Sequence, residues 1–136
     1  MKHLTPTEAW SLLQQRRDDP PETAPLFVDV RMEIESLYVG RPPGVVHIAW
    51  YEYPDLEADA QRFVRAVENE AGGKGRTVLL ICRSGKRTVE AGKALESAGF
   101  TDVVNVLHGF EGELDENFHR STLTGWRKEG LPWEQM

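Results

Sequence analysis

The chain has 136 residues, with 16 Lys+Arg against 22 Asp+Glu for a net charge of −6, and is 40% hydrophobic and 28% charged. This composition and length fit one soluble domain, residues 1–136, with one real core. The acidic balance argues against nucleic acid or an anionic membrane as a partner. No apolar run approaches a membrane span, and the start MKHLTP has no apolar signal core.

Thr5-Pro6-Thr7-Glu8 reads as a helix start, with Thr5 as cap, Pro6 at the first helical position and Glu8 completing a capping box. Ala9, Leu12 and Leu13 give that helix its apolar stripe, and Asp18-Asp19-Pro20-Pro21 ends it. Leu26 to Val30 reads as a buried strand. Asp29 and Arg31 stand at its C-terminal end, where ligand sites gather in parallel sheets. A charge-assisted pair that ties loops together is the better reading for Asp29, whereas Arg31 suits either a structural or a substrate role.

Residues 40–44 hold two Gly and two Pro and form a rigid loop, and Val45 to Ala49 reads as a short strand. Trp50-Tyr51-Glu52-Tyr53 is an aromatic cluster that covers the sheet edge or lines a substrate entrance. Leu56 to Ala71 is read as an amphipathic helix with Leu56, Ala60, Phe63, Val64 and Val67 on one face. Gly72-Gly73-Lys74-Gly75 is a helix stop and linker rather than a phosphate loop, since no strand precedes it.

Thr77 to Ile81 reads as a buried strand, CRSGKR (82–87) as a tight turn, and Thr88 to Ala98 as a helix closed by Gly99. A strand that feeds a loop ending on a helix N-terminus makes an anion site, because the first-turn N–H groups and the helix dipole point into the loop. The only cysteine, Cys82, lies there, and such a place favours the nucleophilic thiolate. Arg83, Lys86 and Arg87 add three cations and no acid, so they attract an anionic substrate to an otherwise acidic protein. The alternative is an inert core thiol. One cysteine allows no internal disulfide and fits a reducing compartment, with the cytoplasm as default.

Val103 to Leu107 reads as the last strand. The histidines, His3, His47, His108 and His119, are scattered, so no metal site is expected; His108, at a strand end, is a candidate for the pocket wall.

Together Phe27-Val28-Asp29-Val30-Arg31 with Glu35, Gly40 to Val45, Ile81-Cys82-Arg83-Ser84-Gly85-Lys86-Arg87-Thr88, Val103 to Gly109 and Trp126 to Pro132 resemble, in order, the segments of a single-domain rhodanese. Arg41 and Pro42 depart from that family's pattern, and residues 111–125 form an acidic-fronted insertion of roughly ten residues, which could reach over the active site or dock a partner, although a solvated surface loop is the better reading. The resemblance implies an α/β fold, a mainly parallel sheet with helices on both faces, which the alternation of strands and helices suggests independently.

It also implies a thiosulfate sulfurtransferase that works through a Cys82 persulfide, with loop residues Arg83, Ser84, Gly85, Lys86, Arg87 and Thr88 binding the anionic sulfur and Asp29 and Arg31 in support. Neither metal nor organic cofactor is implied. The donor is thiosulfate or a similar small anion, and the acceptor is cyanide, a thiol or an acceptor protein. Two other classes share the implied fold: a non-catalytic binding or sulfur-sensing module, and a Cys-dependent phosphatase or arsenate reductase. Enzymes of that last class resemble this loop but carry five residues between Cys and Arg, against four here.

Overall fold

Five parallel strands pair in the order β1-β5-β4-β2-β3: β1 (Lys2–Leu4), β2 (Leu26–Asp29), β3 (Val46–His47), β4 (Val78–Ile81) and β5 (Val103–Val106). Helices α1 (Pro6–Gln15), α2 (Ala60–Ala71) and α3 (Arg87–Ser97) connect or flank them. The computed structural model describes residues 1–136. Parallel strands need both faces covered, and here they are. Leu26, Val28, Val78, Leu80 and Val103 pack against Phe63 and Val67 of α2 and Ala91 and Leu95 of α3. The alternate residues Phe27, Leu79, Ile81, Val104 and Val106 pack against Ala9 of α1, Phe110 and Trp126. No helix is long and apolar enough to cross a membrane.

Thr5 caps α1 as expected: its hydroxyl accepts the Glu8 N–H, and the Glu8 carboxylate accepts the Thr5 N–H. Three readings from sequence change. Helix α2 begins at Ala60 rather than Leu56, because Asp59 caps it by accepting the Arg62 N–H and Leu56 sits in left-handed backbone at φ 55°. Leu56 and Ala60 are exposed, so the buried stripe is Phe63, Val67 and Ala71. The strand expected over 45–49 shortens to Val46–His47, although Ile48 and Trp50 still donate N–H bonds to Asp29 and Val30. Strand β1 was not expected; it adds an edge beside β5, with Lys2, His3 and Leu4 opposite Val104, Asn105 and Val106.

Strand β4 is flanked by β2 and β5, so its C-terminal end is walled on both sides. The next residue is Cys82.

Candidate active site

Cys82 follows the apolar strand VLLI, and its side chain is 1% exposed. Five residues separate it from Thr88, already in the first turn of α3. Gly85 turns the chain at φ 96°, and a Cβ there would come within 3.2 Å of the His108 backbone nitrogen. Glycine is what lets this loop lie against the end of β5. The Gly85 N–H donates to Cys82 Sγ at 3.1 Å, and the Thr88 hydroxyl oxygen lies 3.6 Å from the same sulfur. The N–H groups of Arg83, Ser84, Lys86, Arg87 and Thr88 have no acceptor within the chain. Lys86, the N-cap of α3, contributes no side-chain cap. The loop therefore presents a run of open donors around one sulfur, with the positive end of α3 behind it.

The residues that follow β5 brace this loop from outside. Phe110 N–H donates to Cys82 O at 2.7 Å, while Glu111 and Gly112 N–H groups converge on Arg83 O at 2.9 and 3.1 Å. Gly109 makes the approach possible, since a Cβ there would fall 2.4 Å from Cys82 O. His108 meets the loop through its backbone; its ring turns to Glu113, with Nδ1 to Oε1 at 2.9 Å.

The expected site residues divide into two sets. The Gly85 N–H and the Thr88 hydroxyl meet the Cys82 sulfur, and Ser84 lies in the same loop with its N–H unpaired. Arg83 and Lys86 are exposed and stand in no ion pair. Arg87 departs from expectation. Its guanidinium is not free for an anion but grips the Glu35 carboxylate through both nitrogens, at 2.7 and 2.9 Å, and lies over the Tyr51 ring at 5.5 Å. Burial pushes the Glu35 carboxyl up, but the hydrogen bonds and charge of Arg87, with the Met32 N–H, outweigh it and hold the group below its ordinary value. The helix start is thereby anchored to the turn after β2.

Asp29 and Arg31 form a second, buried pair. Asp29 accepts from Arg31 Nε at 2.9 Å and Nη2 at 2.7 Å, and Nη2 also donates to Gly40 O. Both side chains are fully buried, and the guanidinium lies 4.8 Å from the Phe110 ring centre. These bonds join Asp29 and Arg31 to each other and to the loop at Gly40, while Arg31 Nη1, also buried, has no hydrogen-bond partner. In the aromatic cluster, Trp50 covers the core and Tyr51 stacks on Arg87, while Tyr53 is exposed.

One polar residue escaped the sequence reading. Asn105, buried in β5, accepts the Thr88 hydroxyl proton at 2.6 Å. An amide inside the run VVNV was the available signal, because a buried polar group must be there to bond something.

A sequence profile of the rhodanese-like domain matches residues 5–114. The crystal structure of Rv0390 from M. tuberculosis superposes with a TM-score of 0.81 at 37% identity, covering all of this chain and 98% of that one. A polysulfide-sulfur transferase homodimer from Wolinella succinogenes shares the fold at a TM-score of 0.64 and 22% identity, over all of this chain and 80% of that one. Among curated sequences, the uncharacterized protein RC0915 of Rickettsia conorii is 28% identical over 113 residues, 79% of this chain and 81% of its own length. The matched span runs from the α1 cap past the strand, loop and helix that hold Cys82 to the residues that brace them, and the chain belongs to the rhodanese-like domain family.

Proposed function

We propose that the chain is a sulfurtransferase that carries a sulfane sulfur on Cys82. The observation that supports this best is the loop itself: one sulfur, one N–H already donated to it, and five further N–H groups open around it. Such a nest suits a compact anion bonded to Sγ.

In the first half-reaction the Cys82 thiolate attacks the outer sulfur of thiosulfate or a similar donor. An S–S bond forms to Cys82, the donor's own S–S bond breaks, and sulfite leaves with the electron pair. The product is a Cys82 persulfide anion, held by the loop N–H groups. In the second, cyanide or a thiolate attacks the outer sulfur and Cys82 leaves as thiolate, giving thiocyanate or a new persulfide. The two halves make a ping-pong cycle. Exposed Arg83 and Lys86 draw the anionic donor in. The structural relative from Wolinella succinogenes, described as a polysulfide-sulfur transferase, is consistent with a sulfane donor. The work belongs in a reducing compartment such as the cytoplasm, with neither nucleic acid nor membrane as partner.

Mass spectrometry of the intact protein tests this. Thiosulfate treatment should add one sulfur, removable by cyanide, and Cys82→Ser should abolish the addition. An unmodified wild-type mass would overturn the reading. The loop has four residues between Cys82 and Arg87. A longer loop would be needed to surround the spread oxygens of a phosphoryl group, so aryl phosphate hydrolysis is expected to be negligible.

A further inference from the structure

Behind Cys82 runs a polar path that the sulfur chemistry above does not use. Cys82 Sγ lies 3.6 Å from Thr88 Oγ1, which donates to Asn105 Oδ1 at 2.6 Å; Asn105 Nδ2 lies 3.1 Å from His3 Nδ1. Cys82, Thr88 and Asn105 are all buried, whereas His3 is exposed on β1. The β1–β5 register sets His3 opposite Asn105. A chain of hydrogen-bonding groups thus links the site sulfur to a surface imidazole.

The inventory of donors and acceptors gives this path a direction. With Nδ2 turned toward His3, the Asn105 amide can only donate, and in this arrangement His3 Nδ1 is the acceptor. Asn105 Oδ1 then takes the Thr88 proton. Thr88 is left with lone pairs facing the sulfur, able to accept from S–H but not to donate to a sulfur anion. Protonation of the ring places a hydrogen on Nδ1, which no longer accepts. Turning the Asn105 amide over offers Oδ1 to His3 and Nδ2 to Thr88, and every group stays satisfied. The Thr88 proton is now free to point at Sγ.

We propose that His3 is a positioning residue: by taking up a proton from solvent it reverses the Asn105 amide and turns the Thr88 hydroxyl into a donor to Cys82 Sγ. A donor there stabilises the resting thiolate. It also helps Sγ depart when an acceptor takes the outer sulfur, and only this effect on turnover rests on the sulfurtransferase reading. The charged groups on the neighbouring elements are Lys2 and the Met1 ammonium on the His3 strand, Asp102 ahead of β5, Glu8 on α1, and Glu90, Lys93 and Glu96 on α3. Lys2 pairs with Asp102 and the ammonium with Glu96, so each is answered locally.

The test follows the Cys82 Cβ and His3 ring NMR signals of the intact protein through a titration. In the wild type the two signals should share an inflection between about pH 5 and 8, the range in which an imidazole changes charge. In Asn105→Leu, which keeps His3 but cuts the path, that inflection should vanish from the Cys82 signal. The Cys82 thiolate fraction on the acid side should then fall by about tenfold or more, the size of one lost hydrogen bond to a charged group. His3→Ala, at an exposed position, should also leave no inflection of imidazole origin in the Cys82 signal, and it serves if the core variant does not fold. A shared inflection that survives in Asn105→Leu, or none in the wild type, would overturn the proposal. Failure of the wild type to form a persulfide would instead sink the sulfurtransferase reading and leave this titration standing.

Discussion

Two turn-rich segments lie against each other here, and they treat their N–H groups in opposite ways. In 111–125 the anion is built in. Asp115 accepts from the Asn117 and His119 N–H groups at 2.8 and 2.9 Å and from the Thr122 hydroxyl at 2.7 Å. The His119 N–H, then the Thr122 hydroxyl, hold its carboxyl below the usual carboxylate range. The segment also closes on itself, with Ser121 N–H on Glu111 O and Gly112 tight against Thr124. In 82–87 there is no carboxylate, one N–H meets a sulfur, and the donors from Arg83 to Thr88 stand open. A turn that supplies its own anion is finished; a turn that withholds one is a receptor.

The most direct way to break this contrast is to give the second loop what the first already has. Ser84→Asp should place a carboxylate among the open donors and raise the thiosulfate KM by about tenfold or more at low salt, since attraction becomes repulsion. An unchanged KM would show that the open donors do not receive the substrate. Glu35→Gln acts on stability instead, because it strands the Arg87 charge at the start of α3. It should cost about 2 kcal/mol in denaturant unfolding.

The pH sign of that pair follows from the depressed Glu35 carboxyl. Its stabilisation is fully present above the ordinary glutamate range, near pH 4.3, and is lost as pH falls through the lower folded value. Wild-type unfolding free energy should therefore fall more steeply with acid than that of Glu35→Gln. Parallel acid profiles would remove the pair from the account.

Arg83→Ala and Lys86→Ala sharpen the contrast more gently. Each should raise the thiosulfate KM severalfold with little change in kcat, and added salt should weaken the wild type more than either variant. Equal salt sensitivity would refute attraction by these cations. The smallest effect is expected from Asp115→Asn: faster amide exchange at Asn117 and His119, with persulfide formation intact. Unchanged exchange would mean that the carboxylate does not hold that turn.

The strand–loop–helix around Cys82 was legible in sequence because local features write it: four apolar residues, a glycine turn, then helix formers. The α1 capping box and the alternating apolar strands were legible for the same reason. What sequence did not disclose depends on partners far along the chain. Arg87 looks like a free cation in CRSGKR, and only the fold shows its guanidinium paired with Glu35. Strand β1 is three residues long and defined by pairing with β5, so no periodicity could announce it. The α2 start was misplaced because Leu56 fits the apolar spacing, while Asp59, the real cap, reads as one acid among several. Likewise the link from Asn105 to His3 spans 102 positions and exists only through sheet register.

The burial of Cys82 also gives the protein an internal clock. It is the only thiol, so a folded molecule cannot form a disulfide within itself, and its sulfur is 1% exposed. Two copies can become covalently linked through Cys82 only after the β4–α3 loop has opened in each. The growth of dimer on a non-reducing gel, in aerated buffer, therefore reports how often both copies are open together. Its rate should track the local opening of this region with temperature and denaturant.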